Sequence, residues 1–318
     1  MNFRKKILLI LAVFLSFCCC STNYLEASDG LFAGIPDAIV CCSVNFSGCF
    51  EALFKESFDG NAPVQKIVDF FRLSEMIPES LYFYFAPPEN FVFHIGTKVK
   101  QKTFIEMFRE ENIIKRKNGF SIIDSNLKDK NNPTVIFVGS DSITLFPANL
   151  EEIVLSGISE KKCQLPEKME TFRKMASRKP FFAMEADLNA LIKILSDDIM
   201  KNSELSKPWS DISLVRVIIE KNYSKAQFLV RNQDLLSEKN SLGKNIIDFF
   251  QKDMNIFDGL TNDFRENFFR KINISTQGNS LYFDGEGLGD MLLESEKRFL
   301  IFIAGNVSEI MASKLSSQ

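Results

Sequence analysis

The chain has 318 residues, 45% of them hydrophobic and 25% charged, with a formal net charge of −3. Those are the proportions of a globular protein, and the length is enough for one large domain or two small ones. Acidity this mild, spread without runs of one sign, speaks against nucleic acid as a partner.

The first residues set the compartment. Arg4, Lys5 and Lys6 make a basic start, Ile7 to Phe17 form an apolar run, and Cys18, Cys19 and Cys20 close it. This is the layout of a secretory signal. The run is well short of the ~20 residues a helix needs to cross a bilayer, so a cleaved signal is expected rather than a retained anchor. Two endings fit. Leu25-Glu26-Ala27 before Ser28 suits ordinary cleavage and makes residues 1–27 the signal. The other ending is that of a bacterial lipoprotein, with Cys18, Cys19 or Cys20 lipidated as the new N-terminus. Leu15-Ser16 before Cys18 fits that pattern, while Phe17 is bulky for the position before the cut. Cys19 and Cys20 have a small residue there and a poorer one further back. The plain alternative is that all three are small apolar residues ending the signal core.

Removing residues 1–27 takes three basic residues and one acidic residue from totals of 38 and 41, leaving a net charge of −5. The chain carries 32 phenylalanines. A coding bias that also enriches Lys, Asn and Ile is the expected cause, and a greasy ligand cavity the alternative. Beyond the signal stand Cys41, Cys42, Cys49 and Cys163. Cys41 and Cys42 point to opposite faces of a strand, so they share one metal or one partner poorly. Buried free thiols are expected, the alternative being a disulfide from Cys49 or Cys163 to one of the pair. No Cys-x-x-Cys pair or Cys/His cluster offers a zinc site.

Pro36 to Val44 reads as a strand with Ala38, Val40, Cys42 and Val44 on one face. Asn45 then caps a helix with Phe46, Cys49, Phe50 and Leu53 on its apolar stripe. Gly60 to Pro63 break the chain before a second amphipathic helix, Val64 to Met76. Ser80 to Ala86 alternates, with Leu81, Phe83 and Phe85 opposite Tyr82 and Tyr84, and Pro87-Pro88-Glu89-Asn90 turns it into Phe91 to Val99. Thr103 to Glu111 is helical by its stripe of Phe104, Met107 and Phe108. Short strands follow around Ile114, at Phe120 to Ile123, Val135 to Val138 and Ile143 to Phe146. Asn149 and Glu152 make a capping box for a helix to about Leu155. Polar Ser156 to Pro166 and a helix near Met169 to Met175 bridge to the second half.

That half starts the order again. Phe181 to Ala186 is a strand, Asp187 a helix cap, and Leu188, Leu191, Ile192 and Leu195 repeat the spacing of Phe46, Cys49, Phe50 and Leu53. A hairpin of Leu214 to Glu220 and Ala226 to Val230 turns at Asn222-Tyr223-Ser224. A helix with Ile246, Ile247, Phe249 and Phe250 follows, then a helix at Phe264 to Phe269. Strands at Ile272 to Thr276 and Leu281 to Phe283 precede a C-terminal helix from about Asp290. The expected fold is therefore α+β, in two related halves over 28–158 and 159–318, each an antiparallel sheet packed with helices. The seam falls near Ser156 to Pro166.

In this layout, with its signal, its strand-helix openings led by Pro36 and Pro180, its hairpins and its final strand-helix, the chain resembles a loose class of exported bacterial proteins grouped as domains of unknown function. That resemblance covers most of the mature chain, rests on no specific motif, and implies no activity and no functional residues.

The usual chemical motifs are missing. His94 is the only histidine, on the strand face opposite Phe91, Phe93 and Ile95, and reads as a hydrogen-bonded or exposed strand residue with no nucleophile or orienting acid in context. Gly285-Glu286-Gly287-Leu288-Gly289-Asp290 lies where phosphate cradles form. However, Glu286 and Asp290 put negative charge where the anion would sit, so a turn with Asp290 as helix cap is expected. Glu110-Glu111, Glu151-Glu152 and Asp197-Asp198 read as solvated helix faces. Trp209, in Lys207-Pro208-Trp209-Ser210, reads as a loop residue covering the core edge. Asn45, Asn222, Asn273 and Asn306 begin Asn-x-Ser triplets, which matter only in a eukaryotic secretory pathway. No catalytic, metal or cofactor residues are expected, and no cofactor. The expected function is that of a non-enzymatic exported cell-envelope protein. Its partners would be the membrane, through a lipid on Cys18, Cys19 or Cys20, and other envelope proteins. A periplasmic carrier of an apolar ligand such as a lipid is the alternative. An enzyme gathering dispersed carboxylates ranks third.

Overall fold

The computed structural model describes residues 30–45, 78–97, 101–106, 110–124, 132–195, 211–220, 223–236, 242–246 and 272–285. Within them the chain is α+β, dominated by one antiparallel sheet of twelve strands. The strands are β1 Val40–Asn45, β2 Pro78–Ala86, β3 Asn90–Thr97, β4 Ile113–Arg116, β5 Gly119–Asp124 and β6 Thr134–Val138. They continue as β7 Ser142–Pro147, β8 Phe182–Asp187, β9 Ile212–Glu220, β10 Tyr223–Val230, β11 Ile272–Gln277 and β12 Ser280–Gly285. The spatial order is β11-β12-β10-β9-β8-β1-β2-β3-β7-β6-β5-β4. The two openings β1 and β8 lie side by side at its centre, antiparallel, with Cys42 opposite Met184. Around them the chain wraps outward in the same sense on both sides, through a hairpin (β2-β3, β9-β10) and then a strand of the last hairpin (β7, β12).

The period-2 patterns expected of the strands hold. Leu81, Phe83 and Phe85 share one face with Val40, Cys42, Val44 and Phe182. Tyr82, Tyr84, Cys41 and Ala183 share the other. The first face is apolar from edge to edge, from Ile122, Ile136 and Val138 to Val215, Phe228 and Phe283. The second carries a large apolar cluster over the first half, where α2 (Glu151–Glu160) and α3 (Glu170–Ala176) lie on it, and mixes polar groups with Ile218 beyond it. The remaining described helices are α1 (Gln101–Ile105), α4 (Leu188–Leu195) and residues 242–246. Leu188, Leu191 and Ile194 of α4 pack on the fully apolar face.

Several boundaries differ from expectation for physical reasons. Pro36 and Asp37 form a turn and β1 begins at Val40, so Ala38 packs with the Tyr84 side rather than with Val40. Tyr223, expected in a turn, starts β10 opposite Glu220, because the pairing of β9 and β10 runs to the tip. Asn149 does not cap a helix. Pro147 enters a 3₁₀ turn over Ala148–Leu150 and Leu150 is the N-cap of α2, with no side-chain capping bond. Asn149 instead donates its Nδ2 to Asn90 Oδ1 at 2.9 Å. α2 runs past Leu155 to Glu160 and stops at Lys161 in the left-handed region, φ 52. Asp187, by contrast, caps α4 as expected, accepting from Ala190 N–H at 3.0 Å.

Candidate functional site

The half-polar face of the sheet carries the titratable groups. Antiparallel register aligns Cys41, Glu185, Arg216, Gln227 and Tyr282 in one row, and His94, Tyr82, Ser43 and Ala183 in the next. Glu185 is wholly buried in the middle of β8. Its Oε1 accepts from Arg216 Nε at 2.8 Å and its Oε2 from Phe172 N–H at 2.5 Å. The second bond has a local cause. α3 begins after Met169, which has no side chain able to cap, and an uncapped helix leaves its first N–H groups unpaired. The carboxylate reaches across from β8 to pair one of them, at the end of the helix where negative charge is favoured.

From Arg216 the bonds run outward. Its Nη1 donates to Gln227 Oε1 at 3.3 Å, and Gln227 Nε2 donates to Ser280 Oγ at 2.9 Å and Tyr282 Oη at 3.1 Å. Lys225 Nζ lies 4.3 Å from the centre of the Tyr282 ring and 3.7 Å from Asp284. Burial pushes the Glu185 carboxyl above its ordinary range, against the opposing pull of Arg216 and the Phe172 amide. Each oxygen holds one bond to the fold, and the wholly buried group orients Arg216 and the start of α3. Glu185 and Arg216 were not anticipated. Their signal in sequence is a charge inside each of two apolar strands.

Burial also raises the Cys41 and Cys42 thiols and the Tyr84 phenol, keeping all three neutral. A thiol needs a lowered pKa to be a nucleophile, and these two lie buried on opposite faces as expected. Tyr84 Oη donates to Gly30 O at 2.9 Å. Cys163 is a half-buried thiol, and Cys49 lies outside the described residues. His94 is buried and hydrogen-bonded, its Nδ1 2.9 Å from Thr144 Oγ1 and its ring edge-on to Tyr82 at 6.3 Å. Burial lowers it to about 4, with Asp141 pulling weakly the other way.

The expected solvated acidic pairs divide. Glu151 pairs with Arg116 at 2.9 Å and accepts from Ser121 Oγ at 3.2 Å, so it braces α2 on β4 and β5 while staying partly exposed. Glu110 begins a short 3₁₀ turn rather than ending a helix. Asn45 donates its Nδ2 to Pro180 O at 2.5 Å, joining the two openings; the helix it was expected to cap lies outside the described residues. So do Cys18, Cys19, Cys20, Asp197, Asp198, Trp209 and residues 286–290, while Gly285 ends β12. Among the described residues, no three His, Cys, Asp or Glu side chains gather in metal-binding geometry. No described helix is long and apolar enough to cross a membrane.

No protein-family model matches this chain, and no curated protein matches it. Among solved structures, crystal form III of TP0453 aligns with 89% of this chain and 100% of its own, at 11% identity and a TM-score of 0.44. That is a distant structural likeness.

Proposed function

We propose that the chain is an exported, non-enzymatic protein of the cell envelope, held to a membrane by a lipid on Cys18, Cys19 or Cys20. The observation that carries the non-enzymatic part is the commitment of the buried Glu185 carboxylate to the fold, one oxygen on Arg216 and the other on the Phe172 amide. Export rests on the basic start, apolar run and cysteines of residues 1–20. The two halves are the product of a duplication, a reading supported by the matching outward wrap from β1 and β8 and by Asn45 N–H donating to Phe181 O across the centre.

Expression in a bacterial host with radiolabelled palmitate tests the anchor. Label should enter the chain and the protein should partition with membranes, and replacing Cys18, Cys19 and Cys20 together by Ala should abolish both. A soluble product beginning at Ser28 would sink the anchored reading, and turnover lost on one point substitution would sink the non-enzymatic one.

The carrier reading keeps one specific support, the apolar sheet face on which Leu81, Phe91 and Phe93 are only partly buried. Native mass spectrometry of the purified protein should then find lipid bound to it.

A further inference from the structure

The two edges of the sheet are unlike. β4 carries Lys115 and Arg116, and charge on an edge deters pairing with another chain. β11 reads Ile-Asn-Ile-Ser-Thr-Gln, with no charge and no proline, and all its residues from Asn273 to Gln277 are exposed. No described strand lies beyond it. Ile274 is 39% exposed, and only Tyr223 among the described large apolar residues is as open. An exposed, uncharged edge of this length, with no described strand beyond it, is a template for another strand.

The pairing of β11 with β12 fixes which of its backbone groups are offered. Gly278 and Asn279 make a two-residue turn, with Gly278 at φ +59, and Gln277 lies opposite Ser280. Residues flanking such a turn exchange both of their backbone bonds. The alternation then aims Gln277, Ser275 and Asn273 at β12, and the N–H and C=O groups of Thr276, Ile274 and Ile272 away from the sheet. Those outward residues are symmetric about Ile274.

We propose that β11 pairs antiparallel with β11 of a second copy of this chain, about a two-fold axis at Ile274, so that the sheet continues through the dimer. Ile274 then lies opposite its own copy, Ile272 opposite Thr276, and Asn273 opposite Ser275. Every outward N–H meets an outward C=O, and the Ile272 and Ile274 side chains stay on the face carrying Leu281 and Phe283. A shift by one residue sets outward groups against inward ones and exchanges the faces. Self-pairing favours a strand like this one because no charge is brought against its own copy, which would be unfavourable. The chain already joins β1 to β8 in the same manner, faces matched across an antiparallel centre at Cys42 and Met184. One strand pair buries less than the ~1,200 Å² of a standard interface, so the dimer exchanges with monomer.

Sedimentation velocity over a dilution series, on the protein recovered from expressing cells, reads this association. The wild type should be dimeric when concentrated and dissociate on dilution. Ile274→Lys and Ile274→Glu each set like charges together on the axis and should each weaken association about tenfold or more, with unchanged far-UV circular dichroism. An equal mixture of the two should restore the dimer, because only opposite charges then meet. A wild type that is monomeric throughout, a dimer that persists in both variants, or a mixture that stays monomeric overturns the proposal.

Discussion

Glu185 is the residue on which most of the polar face depends, and its balance can be worked out group by group. Taking a carboxylate out of water is costly, and the raised position of its titration reflects that cost exceeding what Arg216 and the Phe172 amide return. Removing it is nonetheless worse, because it strands a largely buried guanidinium and an uncapped helix N–H. Glu185→Ala should lower stability by about 3 kcal/mol in urea unfolding at neutral pH. Glu185→Gln, which keeps an acceptor and removes the buried charge, should recover a large share of that loss. His94 supplies a pH dependence with a definite sign. Its imidazole sits at about 4 when folded against an ordinary 6.5, so between those values the unfolded chain binds a proton that the folded chain refuses. The stability from neutral His94 is complete above pH 6.5 and is lost as pH falls towards 4, by about 3 kcal/mol. Glu185 runs the other way, its contribution weakening the fold as pH rises through its raised range. In urea unfolding at pH 7 and pH 5 the wild type should therefore lose stability relative to His94→Gln, in which the opposing effect of Glu185 is left alone. An unchanged slope in that variant would refute the assignment.

Among the elements, α2 shows how close packing overrides local preference. Gly157 is buried in the middle of the helix, and a methyl group there would intrude on the Phe32 carbonyl oxygen. Replacing a mid-helix glycine by alanine gains about 1 kcal/mol in propensity, whereas overpacking a fixed contact costs about 1–3 kcal/mol. Gly157→Ala should thus destabilise the protein in thermal unfolding; a raised midpoint would mean that α2 moves freely against residues 30–33. The elements also show what a single sequence reveals. Strand alternation in Leu81 to Phe85, the opposed faces of Cys41 and Cys42, and the Asp187 cap were all legible, because each depends on residues a few positions apart. The Asn149 capping box failed because Pro147 sets the chain into a 3₁₀ turn first, which leaves Leu150 at the N-cap of α2. Glu185 with Arg216, and His94 with Thr144, were beyond reach for a different reason. The partners stand 31 and 50 residues apart, and nothing but the finished strand order brings them into register.

At the scale of the molecule, the central pair decides whether the halves are independent. β1 is buried along its whole length and hydrogen-bonded on both sides, to β2 of its own half and to β8 of the other. Its apolar face joins Val40, Cys42 and Val44 to Phe182 and Ala186 in one cluster with Phe83 and Phe85. On the opposite face, α3 lies against both β8 and β1, and Glu185 fastens it there. Separating the halves would bare an apolar strand edge on each, the kind of edge that aggregates. The described sheet should therefore unfold as one cooperative unit even if two copies of an ancestral half gave rise to it. Far-UV circular dichroism and tyrosine fluorescence should trace a single, coincident transition in urea, as two-state behaviour requires. Asn45→Ala, which deletes the side-chain bond to Pro180 and touches only the centre, should shift that one midpoint to lower urea by an amount equivalent to about 1 kcal/mol. A resolved second transition, with only one of the two responding to Asn45→Ala, would mean instead that the β1–β8 pairing joins two bodies that fold separately.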